Sequence, residues 1–359
     1  MAKRYEIKTF DGDLSALSFM INNSWLKDVG RSVFFNYDEG LLNWYLNSPT
    51  SEKEGLVGAY KDDELVGFVC GMPRTMSYKG KNLKGVIGTL LTTHADYRRM
   101  RVSADLVSKS FKRAIRLRYD VLFGFLFSKR ASSFLIQPFE KHNAMPQILQ
   151  ATTLFKMLNT EKLGEMLSGN KLINLRQETM PKNKSETAEI TDNSYEGEVR
   201  EYKKDDLSEV LKLFNNIKNK VPLARVWSEE ELSWHLDHPP ISKTMVLDND
   251  GIKGAINFYM TEGVGVMMGK KTMSKTGELD NVYLPDDEYG SIALINGTMD
   301  KIKNLGGVGA SLFNTNYFNL KPFRKSGFLS TPRKLAFYGQ ALNHRSIIPP
   351  LEKCYIDLR

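Results

Sequence analysis

At 359 residues the chain is about twice the length of a typical ~150-residue domain. With 41% hydrophobic and 26% charged residues it can bury a sizeable core, which excludes a disordered chain. The longest apolar run, Val121 to Phe127, is interrupted by Gly124 and far short of the ~20 residues of a spanning helix. No apolar core follows the first basic residues to make a secretory signal, and Cys70 and Cys354 are too few for a disulfide scaffold or a cysteine zinc site. The expectation is a soluble, cytoplasmic protein of two domains without a metal.

Tyr5 to Thr9 reads as a short strand and Asp13 to Ser24 as a helix opened by an acidic cap. Tyr37 to Leu46 is a second helix, stopped before Pro49. Gly55 to Tyr60 and Leu65 to Cys70 make a hairpin around Lys61-Asp62-Asp63-Glu64. Gly85 to Thr93 is a longer apolar strand and Ser103 to Leu117 an amphipathic helix. The run from Asp120 to Phe127 predicts a strand buried on both faces. A helix over Ser132 to Lys141 follows, with Pro138 to kink or shorten it.

From Met157 to Glu198 the chain turns polar and reads as a connection. After it the pattern returns. Val199 to Tyr202 is a strand, Asp205 to Lys218 a helix, and Glu229 to Leu236 a helix halted before Pro239. Thr244 to Leu247 and Gly254 to Met260 form a hairpin, followed by a strand over Glu278 to Tyr283, a helix over Ser291 to Asn304 and a strand over Val308 to Phe313. Leu335 to Gln340 and Cys354 to Leu358 are expected as closing strands. The order β-α-α-β-β-β-α-β thus occurs twice, as in a diverged duplication. The fold class is α/β (α+β), with one domain over 1–156, a connecting segment over 157–198 and a second domain over 199–359.

The net charge of +8 fits either a solvated surface or a polyanionic partner. The densest basic segment runs from Arg98 to Arg118, with Asp105 its only acid, and no recognised nucleic-acid motif accompanies it. It follows directly on the strand that ends in Gly88-Thr-Leu-Leu-Thr-Thr-His94. A strand, a short loop with arginines and a helix start place outward-pointing amides and guanidinium groups where an anion is favoured.

This segment resembles the GNAT superfamily of acyl-CoA N-acyltransferases, whose Arg/Gln-x-x-Gly-x-Gly/Ala loop cradles the CoA pyrophosphate; the slots fall on Arg98, Arg101 and Ser103. Arginine at the first glycine slot is similar to the protein N-myristoyltransferase variant, which also carries two GNAT folds in one chain. The resemblance implies two GNAT-like folds in tandem, each a twisted mixed sheet flanked by helices. It implies acyl-CoA as co-substrate, held by Leu91, Thr92, Thr93, Arg98, Arg99, Met100, Arg101, Val102, Ser103, Ala104 and Phe139. The second half has Leu-Pro-Asp-Asp-Glu-Tyr-Gly in the matching loop, whose acids repel a pyrophosphate, so one CoA site is expected.

Thioester aminolysis needs an oxyanion donor and a path for the amine proton, while the thiolate leaves without a donor. By resemblance the donor is the amide of Leu91 or Thr92. The tyrosine used by many GNAT enzymes as general acid is here Phe139. Base candidates are His94, the Arg359 carboxylate or a water chain. Glu278 and Asp280 are candidates for holding the acceptor's ammonium, with Tyr283, Asn314 and Arg324 lining its site. The favoured acceptor is a nucleotide-linked amino sugar; the alternatives are a peptide or protein amine, or a CoA-binding pseudo-acyltransferase without turnover. Neither nucleic acid nor membrane is expected as a partner, and the oligomeric state stays open.

Overall fold

The computed structural model describes residues 5–29, 34–126, 146–159, 195–267, 270–343 and 348–357. The first half opens with β1 (Glu6–Thr9), α1 (Leu14–Val29), β2 (Phe34–Asn36) and α2 (Glu39–Leu46). The strands β3 (Leu56–Lys61), β4 (Glu64–Tyr78) and β5 (Lys81–Thr93), then α3 (Val102–Arg116), β6 (Val121–Leu126) and β7 (Gln147–Met157) complete it. The second half repeats the order with β8 (Glu198–Glu201), α4 (Leu207–Asn216), β9 (Leu223–Arg225), α5 (Glu229–Leu236), β10 (Ser242–Asp248) and β11 (Ile252–Met267). It closes with β12 (Lys270–Tyr283), α6 (Glu288–Asn304), β13 (Gly307–Asn314), α7 (Lys321–Lys325) and β14 (Leu329–Ala341). The helix expected over Ser132 to Lys141, and nearly all of the polar connection, lie outside the described residues.

One twisted sheet runs through both halves, in the order β1-β3-β4-β5-β6-β14-β7-β13-β12-β11-β10-β8. The last strand of each half crosses over. β14 enters between β6 and β7, and β7 pairs β13. The short early strands cross too: β2 pairs β11 and β9 pairs β4. Between the halves, the Trp44 indole N–H donates to the Trp234 carbonyl at 3.4 Å and that of Trp234 to the Trp44 carbonyl at 3.1 Å. Three reciprocal exchanges therefore relate the halves about an approximate two-fold axis. The hydrophobic clusters follow them, since Leu335, Phe337 and Ile356 pack with Phe68, Ile87 and Phe123, whereas Leu154 packs with Phe258 and Ile295.

Two expectations need correction. β6 is buried at Val121 and Phe123, but from Gly124 onward every residue is half-buried, because β5 pairs with it only as far as Gly88↔Gly124. Cys354 to Asp357 is not a closing strand. Apart from one bridge between Tyr355 and Ala224 it pairs with no strand, yet all four residues are buried.

This segment ends its described course in an ion cluster between the halves. The Asp357 side chain, 0% exposed, lies between Arg74 of β4 and Arg225 of β9. Arg74 Nε donates to both carboxylate oxygens at 3.2 and 2.9 Å, while Arg225 donates to Glu231 of α5 at 3.2 Å and stacks on Trp227. Burial alone would raise Asp357, but the Arg225 and Arg74 guanidiniums hold it below the usual carboxylate value of 3.8. A depressed folded value means that its contribution to stability is present above pH ~4 and is lost as pH falls through the folded value. Asp357→Asn leaves two buried cations short of a partner and should cost about 3–5 kcal/mol. Urea unfolding of the variant at pH 7 checks the cost, and acid titration should show less loss of stability below pH ~4 than in the parent chain.

Candidate active site

β5 and β6 run parallel up to Gly88 and then part, so no ladder from β6 covers residues 89 to 93 of β5. On its other side, β5 pairs β4 through a bulge: Cys70 faces Thr89 and Phe68 faces Thr92, so Leu90 and Leu91 stand against Val69 alone. Leu90 takes φ +53°, a left-handed conformation that costs an L-residue ~1–2 kcal/mol. Its side chain is 5% exposed and packed in the first core cluster, so the burial of the leucine opposes the strain of its backbone. Beyond it, the Thr92 hydroxyl accepts from the Trp25 indole of α1 at 3.1 Å. The buried Thr93 hydroxyl has no hydrogen-bond partner among the described residues.

The loop after β5 turns sharply. The His94 amide donates to the Val66 carbonyl at 2.9 Å, and its ring Nδ1 accepts from the Asp96 amide at 3.4 Å, capping a single turn over Ala95 to Tyr97. Arg98 turns inward and donates to the Ser24 carbonyl of α1 at 2.9 Å. Arg99 and Arg101, with φ +66° and +67°, stay exposed with Met100 and Ala104. Arg101 is the N-cap of α3 and makes no side-chain cap, which leaves the amides of Val102, Ser103 and Ala104 to a ligand or to water. Left-handed residues around such a helix start bring successive amides into one concavity.

The matching helix start in the second half is closed. Asp287 accepts from the Tyr289 and Gly290 amides, so α6 carries its own anion. Glu288 holds Lys321 at 2.6 Å and also pairs with Lys325, which withdraws both cations from ligand binding.

The proposed acceptor residues separate into local contacts. Glu278 is 4% exposed and hydrogen-bonded to Ser311. Its charge reaches Tyr37, where burial and then Glu278 push the phenol upward. Asp280 bonds to His235 Nε2 at 3.0 Å and accepts from Asn281 at 2.6 Å. Tyr283 lies under Lys220, 4.8 Å from its ring centre, and Asn314 closes a turn with Asn316. Arg324 is exposed on the short helix α7. Phe139 and Arg359 lie outside the described residues. Sequence reasoning missed Trp25, Tyr37, Arg74, Arg225, His235 and Asp357. Among the described residues, no cluster of three or more His, Cys, Asp or Glu is placed to hold a metal ion, and no helix is long and apolar enough to cross a membrane.

The architecture is GNAT-like. A GCN5-related N-acetyltransferase from Anabaena variabilis superposes with TM-score 0.55 at 7% identity, over 95% of this chain and 73% of that one. Saccharomyces cerevisiae N-myristoyltransferase with bound myristoyl-CoA and inhibitors superposes with TM-score 0.75 at 18% identity, over 99% and 87%; at these identities the likeness concerns the fold alone. Residues 3–123 match the family model for the N-terminal domain of myristoyl-CoA:protein N-myristoyltransferase. Glycylpeptide N-tetradecanoyltransferase of S. cerevisiae is 23% identical over 257 residues, 67% of this chain and 51% of that protein. The Plasmodium falciparum protein is 26% identical over 255 residues, 70% and 58%. That of Ajellomyces capsulatus is 30% identical over 105 residues, 29% and 20%. The chain thus matches between a fifth and a little over half of the length of these relatives. The findings overturn the expectation of a nucleotide-linked amino sugar as acceptor, because the matched family and the relatives aligned over two thirds of the chain act on peptides or proteins.

The seat of α3 on the sheet is tight. A Cβ on Gly67 of β4 would stand 2.8 Å from Val102 and 2.9 Å from Leu106. Gly67→Ala should push the first turn of α3 away from β5 and cost ~1–3 kcal/mol; urea unfolding gives the cost, and amide exchange at residues 102–106 reads the displacement.

Proposed function

We propose that the chain transfers an acyl group from acyl-CoA to the N-terminal amine of a peptide or protein, with a long-chain donor such as myristoyl-CoA. The observation that carries this reading is the coincidence, on one strand end, of the bulge at Leu90, the parting from β6 after Gly88 and the uncapped start of α3. The residues fit the donor. The parted edge offers backbone groups and the unpartnered Thr93 hydroxyl to a polar arm, and α3 offers amides and two exposed guanidiniums to a pyrophosphate.

The thioester supplies an activated carbonyl and a leaving thiolate. The chain holds that carbonyl's developing negative charge with the Leu91 amide, which the bulge turns away from β4, in a pre-set geometry that needs no reorganisation during the reaction. Arg99, Arg101 and the amides of 102–104 hold the phosphates, while Arg98 braces the loop on α1. Residues 1–156 form the donor side and 199–359 the acceptor side, joined through 157–198. Glu278 receives the acceptor's ammonium: it is buried, and its charge reaches Tyr37, which meets edge-on the same Trp25 that binds Thr92. His235 holds Asp280 beside it.

Calorimetry with a non-transferable myristoyl-CoA analogue tests the donor site. Arg99→Ala combined with Arg101→Ala should weaken binding about 10-fold or more, the scale of two solvent-facing charged hydrogen bonds, and the loss should shrink at high salt. Mass spectrometry of peptides that begin with glycine should show the acyl mass at the N-terminal amine. An unchanged dissociation constant in the double variant, or acylation of other amines alone, contradicts the assignment.

A further inference from the structure

We propose that Trp25 is a positioning residue that, by fixing Thr92 just after the bulge, sets the aim of the Leu91 amide. This rests on the reading of the β5 edge as the carbonyl-binding strand. A bulge with a left-handed leucine persists only where its surroundings over-determine it, and its relaxed alternatives would turn the amides after it elsewhere. β6 gives no restraint beyond Gly88, so the restraint must come from β4 and from α1. Trp25 supplies a directional one, its indole N–H donating to the Thr92 hydroxyl at 3.1 Å.

The indole is itself fixed. It meets the Tyr37 ring edge-on, with centroids 5.4 Å apart. Tyr37 is tied to α1 twice, its amide donating to the Asn22 side chain at 2.9 Å and its carbonyl accepting from that side chain at 3.1 Å. One residue before Trp25, the Ser24 carbonyl receives Arg98. A single turn of α1, residues 22–25, therefore anchors the phosphate-side loop, the bulge and the Tyr37 segment that leads from β2, the strand paired to the second half. Neither Asn22, Ser24 nor Trp25 belongs to the helix-loop signature, and nothing in that signature requires them.

Trp25→Phe keeps a ring against Tyr37 and removes the N–H. Misaiming a donor costs less than deleting one, so kcat with myristoyl-CoA and a glycine-initiated peptide should fall ~10-fold while both KM values stay within about 2-fold. Thr92→Val should give the same loss, Thr92→Ser should restore most of the rate, and Trp25→Phe/Thr92→Val should be no slower than either single variant. The infrared carbonyl band of a 13C-labelled, bound thioester should move to lower frequency on the parent chain and back toward its solution position in Trp25→Phe. If the band and kcat match the parent in Trp25→Phe, or if the two substitutions add, Trp25 has no positioning role. If the thioester does not bind the parent chain at all, the donor site itself is wrong and the inference falls with it. Where Trp25→Phe does not fold, the Thr92 pair carries the same comparison.

Discussion

Neither half of this chain completes its own sheet. β14 fills the gap beside β6, β7 fills the one beside β13, and β2 and β9 extend strands of the opposite half. Hydrogen-bonded ladders cannot be left open in a buried sheet without a desolvation cost for every unpaired group. The exchange therefore fixes the relative placement of the halves as firmly as the strands themselves are placed. It also accounts for the charged residues at the junction. Arg74 stands on β4 and Arg225 on β9, the strand that crosses to pair β4, so the exchange brings two guanidiniums together, and Asp357 between them neutralises a buried repulsion.

The same principle, applied in reverse, makes the candidate site. A parallel pair that stops at Gly88↔Gly124 leaves the end of β5 without a ladder partner on one side among the described residues, and the bulge at Leu90 turns the strand end after it. The parted edge, the Thr93 hydroxyl without a partner among the described residues, and the uncapped start of α3 lie on one strand end. The strain at Leu90 is offset by burial of its side chain and by the contact of α1 on Thr92.

Much of this was legible in the sequence. Hydrophobic period and capping residues place α1, α2, α3, α5 and α6 within a few residues, and the arginine loop marks the start of α3, which no side chain caps. A stronger repeat lay unread: Glu39-x-x-Leu42-x-Trp44-x-Leu46-x-x-Pro49 and Glu229-x-x-Leu232-x-Trp234-x-Leu236-x-x-Pro239 share five residues at the same spacing. Those are the helices whose tryptophans bond reciprocally. Other features had no local signal. β7 breaks the alternation a half-buried strand shows, with Ile148-Leu149, Thr152-Thr153 and Leu154-Phe155 in pairs, until β13 and β14 flank it; Cys354 to Asp357 looks like a strand because burial, not pairing, selects its residues. Arg74 and Arg225 look like surface charges until Asp357, 283 residues from Arg74, is folded against them.

The chemical difference between the halves is small against the frame they share. Both have a hairpin with a bulged second strand, at Leu90–Leu91 in β5 and at Asp280 in β12. Both have a helix after that strand. In the first half the helix start is left open and flanked by arginines; in the second an aspartate closes it and Glu288 neutralises the lysines of α7. In the first half the bulge is apolar and presents amides; in the second it carries a carboxylate held by His235. The residue that α2 places after its tryptophan is Tyr45, whereas α5 places His235 there. A few substitutions at helix starts and bulges thus leave one frame with an open helix start flanked by arginines, and its twin with a closed one and a buried carboxylate at the bulge. The interlocked sheet fixes how the two face each other.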